Sequence, residues 1–291
     1  MLAGMPIALT TPDIEELPAV AAALRDWQQD DLPLQFHPGD LGWFHRFGAE
    51  RTAAATRTWT LDGRIVAVGM ADEPDLIRMT MAPDLLADRQ LAQQLVADLS
   101  DPERGVLGEG EVFVEVPNGA LVREVFREKG WQLDEEWTPL SHDLVDLPEP
   151  SLRIKVVGPQ LGAVRSDLQR ASFTKSTFTQ DGWHAMAAGA PYQDARCLIG
   201  YDDAGTPVAA VTVWSAGPGK PGLIEPLGVH RDHRGHGHGR AICYAAGMAL
   251  RDLGSSSMQV CTPSANVGAV ATYVSAGFEK LPLRRDLARK P

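Results

Sequence analysis

The sequence predicts an α+β fold of two tandem domains, each a mostly antiparallel twisted sheet flanked by helices. The chain has 291 residues, whereas a single domain typically has about 100–200. The order of predicted strands and helices repeats between the two halves. Pro148 and Pro150 interrupt an acidic stretch without periodicity, which is typical of a domain boundary. We therefore predict domains at residues 1–148 and 152–291.

Each half is predicted to begin with a helix. Residues 13–28 open with acidic side chains, which suit the positive end of a helix dipole. Apolar residues recur at helical spacing in residues 159–173. A β-hairpin is predicted next in each half, at residues 58–70 and 197–214, because a glycine-containing turn separates β-branched runs there.

A strand followed by a helix is predicted near the end of each half, at residues 112–131 and 258–278. Each helix closes on a glycine, Gly130 or Gly277, and an aromatic residue follows that glycine and would start the next strand. Glycine in this position allows the left-handed conformation that commonly ends a helix. The two halves are therefore predicted to be copies of one unit.

The second half contains a further predicted strand and helix, at residues 221–229 and 239–254. The turn between them reads HRDHRGHGHG and includes Gly235 and Gly237. Without Cβ atoms, these glycines let several backbone N–H groups converge at the positive end of the helix. Such a turn favours the binding of an anion such as a phosphate. Its spacing, Arg-x-x-Gly-x-Gly, matches neither the P-loop nor the dinucleotide-binding motif.

Two segments of the second half resemble the GCN5-related N-acetyltransferases, the GNAT superfamily, which use acetyl-CoA. Residues 234–239 are similar to the pyrophosphate loop of that family. Residues 266–278 are similar to the segment in which an Asn starts a helix and a Tyr precedes a terminal Gly-Phe. The resemblance covers residues 152–285 with its motifs and extends to the first half as architecture only. The layout is similar to that of tandem members of the family.

The resemblance implies that acetyl-CoA is the acyl donor. Backbone N–H groups of residues 234–240 would bind its pyrophosphate, and Arg231, Arg234 and Arg240 would offset its charge. The backbone of residues 227–229 would pair with the pantetheine arm. Asn266 would bond the same arm, or would serve only as a helix N-cap. The predicted donor-binding residues are Leu227, Gly228, Val229, Arg234, Gly235, His236, Gly237, His238, Gly239, Arg240, Asn266 and Tyr273.

Acyl transfer to an amine needs a proton acceptor for the amine and a proton donor for the departing thiolate. The resemblance places Tyr273 near the sulfur as the acid, although Tyr273 also fits a core aromatic position. Glu225 is the only carboxylate in the strand before the loop and is the predicted base. A structural salt bridge would explain Glu225 equally well. The family's usual position for the base is occupied by Leu223, which shares a strand face with Glu225 if the two-residue period holds.

The first domain is predicted to lack catalysis and to shape a substrate cleft on the second. Residues 84–91 stand where its copy of the loop belongs, and they contain no glycine. Phe126 occupies the position that corresponds to Tyr273. Aromatic residues that fit either a cleft or a core are Trp43, Phe44, Phe47 and Trp59. Residues 172–192 are predicted to be a loop over the acceptor site, with Phe178, Trp183 and His184 as candidate contacts.

Composition and charge argue against several classes of protein. No apolar run reaches the roughly 18 residues needed to cross a membrane, and no secretory leader is evident. A formal charge of -11 disfavours nucleic-acid binding. The 3 cysteines are far apart and are expected to be buried thiols, so the predicted compartment is the cytoplasm. His230, His233, His236 and His238 have a zinc-compatible spacing, but glycines would hold them poorly and no metal is predicted.

The predicted function is an acetyl-CoA-dependent N-acetyltransferase that transfers an acetyl group to a primary amine of a small molecule by direct attack. The competing class is a noncatalytic acyl-CoA-binding sensor or interaction module. No nucleic-acid or membrane partner is expected, and the chain is expected to be a monomer or a homodimer. The acceptor stays open, because aminoglycosides, amino-sugar thiols, polyamines, amino acids and protein amines present the same nucleophile.

Overall fold

The computed structural model describes residues 6–34 and 36–290. The strands are Ala8–Thr10 (β1), Thr56–Leu61 (β2), Arg64–Glu73 (β3), Leu76–Met81 (β4), Val112–Glu115 (β5), Gln132–His142 (β6), Arg153–Val156 (β7), Ala195–Tyr201 (β8), Pro207–Ser215 (β9), Gly222–Val229 (β10), Met258–Pro263 (β11), Glu279–Lys280 (β12) and Arg284–Arg289 (β13). The α-helices are Leu17–Trp27 (α1), Pro38–Phe44 (α2), Ala49–Ala55 (α3), Arg89–Ser100 (α4), Val122–Glu128 (α5), Gly162–Ser172 (α6), Gln180–Ala188 (α7), His238–Asp252 (α8) and Val267–Ser275 (α9). In the described part of the chain, none of the helices has the length and apolar character of a membrane span.

The chain divides into two compact units. Unit 1 takes the described residues of 1–36, 49–136 and 283–291, and unit 2 takes residues 37–48 and 137–282. These units differ in their bounds from the predicted domains, 1–148 and 152–291. Strand β13, near the end of the chain, belongs to unit 1, and residues 37–48 belong to unit 2.

Unit 1 is a sheet in the order β1-β2-β3-β4-β5-β13. The pairing of β4 with β5 is parallel, and the other neighbours in this order pair antiparallel. At the predicted hairpin between β2 and β3, Asp62 and Gly63 both have positive φ angles, 54° and 77°, as a two-residue hairpin turn requires. The fully buried Trp59 lies in the core, where its Nε1 donates to Asp98 Oδ2 at 2.9 Å. Trp59 is therefore a core residue of unit 1.

Unit 2 is a sheet in the order β6-β11-β10-β9-β8-β7, with β12 beside β6. The one parallel pairing in this order is between β10 and β11. Its apolar residues form two clusters. One cluster includes Ile242 of α8 and Tyr273 of α9. The other includes Leu168 of α6, Trp183 of α7 and Trp214 of β9. Helices therefore cover the sheet of unit 2 on both faces, as an α+β layered fold requires.

The repeated pattern read from the sequence is present in both units. The hairpins 58–70 and 197–214 appear as β2–β3 and β8–β9, and the strand–helix pairs appear as β5–α5 and β11–α9. Gly130 and Gly277 follow α5 and α9 with φ angles of 88° and 96°, which confirms the predicted left-handed helix ends.

Three predicted elements differ from the structure. Helix α1 begins at Leu17 and not at residue 13. Residues 14–16 form a turn before it, in which Asp13 and Glu16 each accept the other's backbone N–H at 2.9 Å. The helix predicted from residue 159 begins with a 3₁₀ turn, and its α-helical part is α6. The predicted loop 172–192 is wrong, since α7 lies within it. The N-cap of α7 is Thr179, whose hydroxyl accepts from Gly182 N at 3.0 Å.

Residues 37–48 carry α2 into unit 2. A capping box starts this helix, with Gly39 N donating to His37 Nδ1 at 2.9 Å and His37 N donating to Asp40 Oδ2 at 2.7 Å. The helix packs on the buried Trp214, and only glycine fits at two of its positions. A β-carbon would lie 2.5 Å from the Trp214 side chain at Gly39 and 2.4 Å from it at Gly42. The first half of the chain therefore supplies part of the packing around β9 and β10 in unit 2.

We predict that Gly42→Ala destabilises unit 2. The added methyl group would meet the Trp214 ring, which is 1% exposed and cannot turn into solvent. Such overpacking costs about 1–3 kcal/mol, and we expect it to exceed the gain of about 1 kcal/mol in helix propensity. Thermal unfolding should show a Tm lower by a few degrees. Gly108→Ala is the matched control, because nothing lies within 4 Å of its added β-carbon. Equal Tm values for the two variants would contradict the packing argument.

Candidate active site

The glycine turn of unit 2 connects β10 to α8. A 3₁₀ turn at Arg231–His233 follows the strand, and Gly235 and Gly237 then have φ angles of 82° and 80°. This left-handed conformation is costly for residues with a Cβ atom and free of strain for glycine. Gly237 is the N-cap of α8 and provides no side-chain cap. The two glycines therefore reverse the chain and leave the start of α8 uncapped by protein.

Backbone N–H groups at this turn have no acceptor in the described part of the protein. Within residues 6–34 and 36–290, the N–H groups of residues 234–240 donate to no protein atom. The next residue, Ala241, donates to Gly237 O at 3.1 Å and begins the helical ladder. The turn is mostly exposed, and it lies at the positive end of a 15-residue helix. Free N–H groups at such a position can bind an anion.

The corresponding helix start in unit 1 is closed by its own side chain. Asp88 is the N-cap of α4, and its Oδ1 accepts from Leu91 N at 2.7 Å. A 3₁₀ turn at Pro83–Leu85 precedes it. A carboxylate therefore occupies in unit 1 the position that stays open in unit 2, and this segment cannot bind a second anion in the same way.

The arginines of the turn are used differently from one another. Arg231 donates to Ala171 O at 2.8 Å and to Arg170 O at 2.7 Å, and Arg234 donates to Ser172 O at 2.7 Å. These carbonyls end α6, so the two guanidinium groups cap that helix and fasten the turn to it. Arg240 is exposed and, in the described part of the chain, forms no hydrogen bond or ion pair. The sequence analysis predicted that Arg231, Arg234 and Arg240 would all offset the charge of a phosphate. In the structure, Arg231 and Arg234 instead hold the turn against α6.

Strands β10 and β11 separate soon after they pair. Their register covers Gly222 with Met258 and Leu223 with Gln259, whereas residues 227–229 pair with β9 on the other side. The backbone edge of residues 227–229 that faces β11 is therefore outside the sheet ladder. This is the strand separation that the resemblance implied for the pantetheine arm. Gly228 is necessary here, since a β-carbon would lie 2.6 Å from Ser172 Cβ.

Glu225 lies in a β-bulge of β10. The register with β9 shifts between Ile224 and Leu227. Side chains before and after this shift therefore do not follow one regular alternation between the two faces of the sheet. Leu223 packs in the cluster on the α6 side, whereas Leu227 packs in the cluster on the α8 side. The two-residue period therefore fails between Glu225 and the loop. Glu225 is half-buried, and its backbone oxygen accepts from Trp214 Nε1 at 2.7 Å.

Tyr273 lies on α9 and is 6% exposed. Its ring is 5.3 Å from the ring of Phe278. Burial raises the pKa of the Tyr273 phenol well above its usual value, and the nearby Cys243 and Glu225 raise it further. The phenol is therefore protonated at neutral pH and can donate a hydrogen bond. In unit 1, Phe126 forms the same pair with Trp131 at 4.7 Å and has no hydroxyl group.

Asn266 is the N-cap of α9, and its Oδ1 accepts from Ala269 N at 3.2 Å. The capping alternative predicted for this residue is therefore present. Asn266 is exposed, and the described residues offer its Nδ2 group no acceptor. The amide can thus cap the helix with its oxygen and still donate from its nitrogen.

The histidines of the turn lie in pairs. The rings of His230 and His233 are 5.2 Å apart, and those of His236 and His238 are 5.9 Å apart. Burial lowers the pKa of His238, and the neighbouring His236 and His233 lower it further. In residues 6–34 and 36–290, no group of three or more His, Cys, Asp or Glu side chains is arranged to hold a metal ion.

The aromatic candidates divide between core and surface. Phe44, Phe178 and Trp183 are buried, and the Trp43 ring packs at a tilt against the Phe178 ring, with 5.0 Å between the ring centres. Phe47 and His184 are exposed. Sequence reasoning missed Trp214, which carries the contact to Glu225 O, because a tryptophan in an apolar strand gives no sign of a specific partner. It also missed the attachment of the turn to α6, which joins residues about 60 positions apart.

Residues 164–278 match the family described as the Acetyltransferase (GNAT) family. A GCN5-related N-acetyltransferase from Sphaerobacter thermophilus is 18% identical, covers 99% of this chain and 98% of its own, and has a TM-score of 0.58. A tandem GNAT protein from the clavulanic acid biosynthesis pathway is 15% identical, with 98% of each chain covered and a TM-score of 0.62. A GNAT-family acetyltransferase from Colwellia psychrerythraea is 16% identical, covers 99% of this chain and 100% of its own, and has a TM-score of 0.63.

At these identities the likeness concerns the fold. It confirms the predicted α+β class of two tandem GNAT-like domains. No curated protein sequence matches the chain significantly.

We predict that the Tyr273 phenol keeps its proton in the folded protein well above pH 10. Its pKa is raised on folding, so its contribution to stability is complete below the unfolded value of about 10 and is lost as the pH rises through the folded value. Near pH 10, ultraviolet titration should show no difference between wild type and Tyr273→Phe under native conditions. In denaturant it should show a difference of about half a phenolate per chain, because the pH then equals the unfolded pKa. A native phenolate missing from the variant at that pH would contradict the prediction.

Proposed function

We propose, from the premise that residues 164–278 form a domain of the acetyltransferase (GNAT) family, that the protein transfers an acetyl group from acetyl-CoA to a primary amine of a small molecule by direct attack. One observation carries the proposal. The start of α8 presents unpaired backbone N–H groups in a left-handed glycine turn. A diphosphate is the part of acetyl-CoA that such a turn would bind.

The residues around the turn fit the rest of the donor. The free edge of residues 227–229 would accept the pantetheine arm as an added strand. The exposed Asn266 would donate to the same arm from its Nδ2 group. Residues 234–240 would bind the pyrophosphate, with Arg240 adding charge and Arg231 and Arg234 holding the turn against α6. The thioester supplies an activated acetyl carbon.

Glu225 and Tyr273 would manage the protons. The amine forms a bond to the acetyl carbon as the carbon–sulfur bond breaks, and the amine proton passes to the Glu225 carboxylate, directly or through water. Tyr273 would donate a hydrogen bond to the departing sulfur. Since a buried phenol holds its proton more tightly than a thiol of pKa about 8.5, this stabilisation precedes protonation of the sulfur from solvent.

Unit 1 is proposed to be noncatalytic. Asp88 closes its helix start and Phe126 replaces the phenol. The cytoplasm remains the proposed compartment, supported by Cys197, Cys243 and Cys261, which form no disulfide in the described part of the chain. Either a monomer or a homodimer is compatible with the proposed site, which lies in one unit.

Donor binding is tested by placing a carboxylate at the helix start, as unit 1 has it. Gly237→Asp should weaken acetyl-CoA binding about tenfold or more relative to Gly237→Asn, through repulsion of the pyrophosphate. The Asn variant is the control, because it has the same shape and the same cost of a positive φ. Isothermal titration measures both affinities, and added salt should narrow the difference. Equal affinities would place the pyrophosphate elsewhere.

Catalysis is tested by thiol release from acetyl-CoA with a panel of primary amines. Tyr273→Phe should lower kcat by roughly 10²-fold, the smaller end of the usual range for an acid–base group, and should leave the Kd of acetyl-CoA unchanged. Tyr244→Phe, also on a helix of this unit, is the control and should keep wild-type kcat. Acetyl-CoA binding without turnover on any amine would favour the noncatalytic acyl-CoA sensor instead.

A further inference from the structure

A second polar cluster lies in unit 2, buried in the apolar layer between α6, α7 and the sheet. Arg165 of α6 is fully buried. Its Nε donates to Cys197 Sγ at 3.2 Å and its Nη1 donates to Gln169 Oε1 at 2.8 Å. Its Nη2 is buried and has no hydrogen-bond partner, and no Asp or Glu in the described part of the chain pairs with it.

Two more donors belong to this cluster. Trp183 Nε1 is buried and forms no hydrogen bond of good geometry with the described residues, although the indole interacts with the Tyr192 phenol, whose ring lies 6.1 Å away. Burial raises the pKa of the Tyr192 phenol and Cys197 raises it further, whereas the Arg165 charge and a side-chain interaction with the Trp183 indole lower it by less, so the phenol is protonated. Tyr192 is half-buried and is the member of the cluster that reaches the surface.

These three groups share a chemical deficiency. Guanidinium and indole groups can only donate hydrogen bonds, and the protonated phenol adds another donor. Arg165 has a sulfur and an amide oxygen as partners but no counter-ion among the described residues. A buried charge without a counter-ion and buried donors without acceptors are both costly. An anion with acceptor oxygens would supply the counter-ion and the acceptors that this cluster lacks.

We propose that Arg165, Trp183 and Tyr192 form a subsite for the carboxylate of the acceptor, so that the substrate class is amines that also carry a carboxylate, such as amino acids. This inference rests on the proposed acetyl transfer. The Tyr192 ring is 5.9 Å from the Trp214 ring, and Trp214 Nε1 donates to Glu225 O at 2.7 Å. The Trp214 side chain therefore links the proposed subsite to the main chain of Glu225, the proposed base.

A carboxylate suits this place better than a bulkier anion. The Arg165 guanidinium carbon lies 5.5 Å from the centre of the Phe178 ring, and Trp183 and Tyr192 form the neighbouring aromatic surface. A planar group with two oxygens can accept from the fork of a guanidinium and lie between rings. Tyr192, which is half-buried, is the member of the proposed subsite that solvent reaches.

The experiment compares amines that differ only in this group. Glycine, β-alanine, L-leucine and L-phenylalanine are each assayed with acetyl-CoA against their carboxamides. The expected kcat/KM is about tenfold or more higher for the carboxylates, as for the loss of a hydrogen bond to a charged group. Tyr192→Phe should raise KM for the carboxylates and leave KM for the amides and for acetyl-CoA unchanged. Tyr244→Phe is the control and should change neither.

Arg165 is tested separately, because its removal endangers folding. Arg165→Lys keeps the charge and loses the forked geometry, so it should raise KM for the carboxylates more than for the amides in protein that retains its wild-type circular dichroism. Equal kcat/KM for acids and amides, or equal losses on both in Tyr192→Phe, would overturn the subsite. A preference for 3-aminopropyl phosphate over β-alanine would assign the charge to phosphate and overturn the carboxylate.

Failure of the subsite and failure of acetyl transfer have different signatures. Isothermal titration of the same acids and amides without acetyl-CoA measures the subsite directly. Acids that bind more tightly than amides, without turnover of any amine, would retain the subsite and remove the transferase. Turnover of amides together with no stronger binding of acids would retain the transferase and remove the subsite. No binding of any acid and no turnover would remove both.

Discussion

The unsatisfied start of α8 is the constraint on which the rest of unit 2 depends. A helix leaves its first N–H groups without partners, and proteins usually satisfy them with a side chain. Here the N-cap is Gly237, which has no side chain to offer. The neighbouring elements hold the turn in place from outside, through the arginine contacts to the end of α6 and through Gly239, where a β-carbon would lie 2.7 Å from Thr272 of α9. The open N–H groups are thus fixed in position while remaining available.

The two units show how little has to change for one copy of a fold to carry such a site and the other not. Both have a strand, a turn and a helix at this point, and both end a later helix on a left-handed glycine followed by an aromatic ring. In unit 1, the Asp88 side chain caps the start of α4, which the corresponding turn of unit 2 leaves open. Phe126 keeps the ring contact that Tyr273 makes in unit 2 but has no hydroxyl group. Each unit therefore keeps the same internal packing whether or not it carries the polar residues of the site. For this reason the strand and helix pattern repeats in the sequence while the polar residues do not.

The features that the sequence predicted depend on neighbouring residues, whereas the features that it missed depend on residues far apart in the chain. The glycine turns, the hairpins and the helix ends were predictable because a positive φ is a local requirement that glycine meets. The bulge at Glu225, the docking of residues 37–48 on Trp214 and the capping of α6 by Arg231 were not predictable, because each depends on a residue far away in the chain. Residues 172–192 were misread as a loop because their polar and aromatic composition hides a nine-residue helix that Thr179 starts.

The arginines show why the backbone is the more reliable anion-binding element in this protein. A net charge of -11 reflects an excess of acidic over basic side chains. Arg231 and Arg234 direct their donors to the carbonyls that end α6. Arg240, by contrast, lies at the turn with its guanidinium uncommitted to the described residues. Amide N–H groups do not titrate, and a left-handed glycine fixes their direction without rotamer entropy. Charge recognition at the turn is therefore assigned to the main chain, and the side chains determine where that main chain lies.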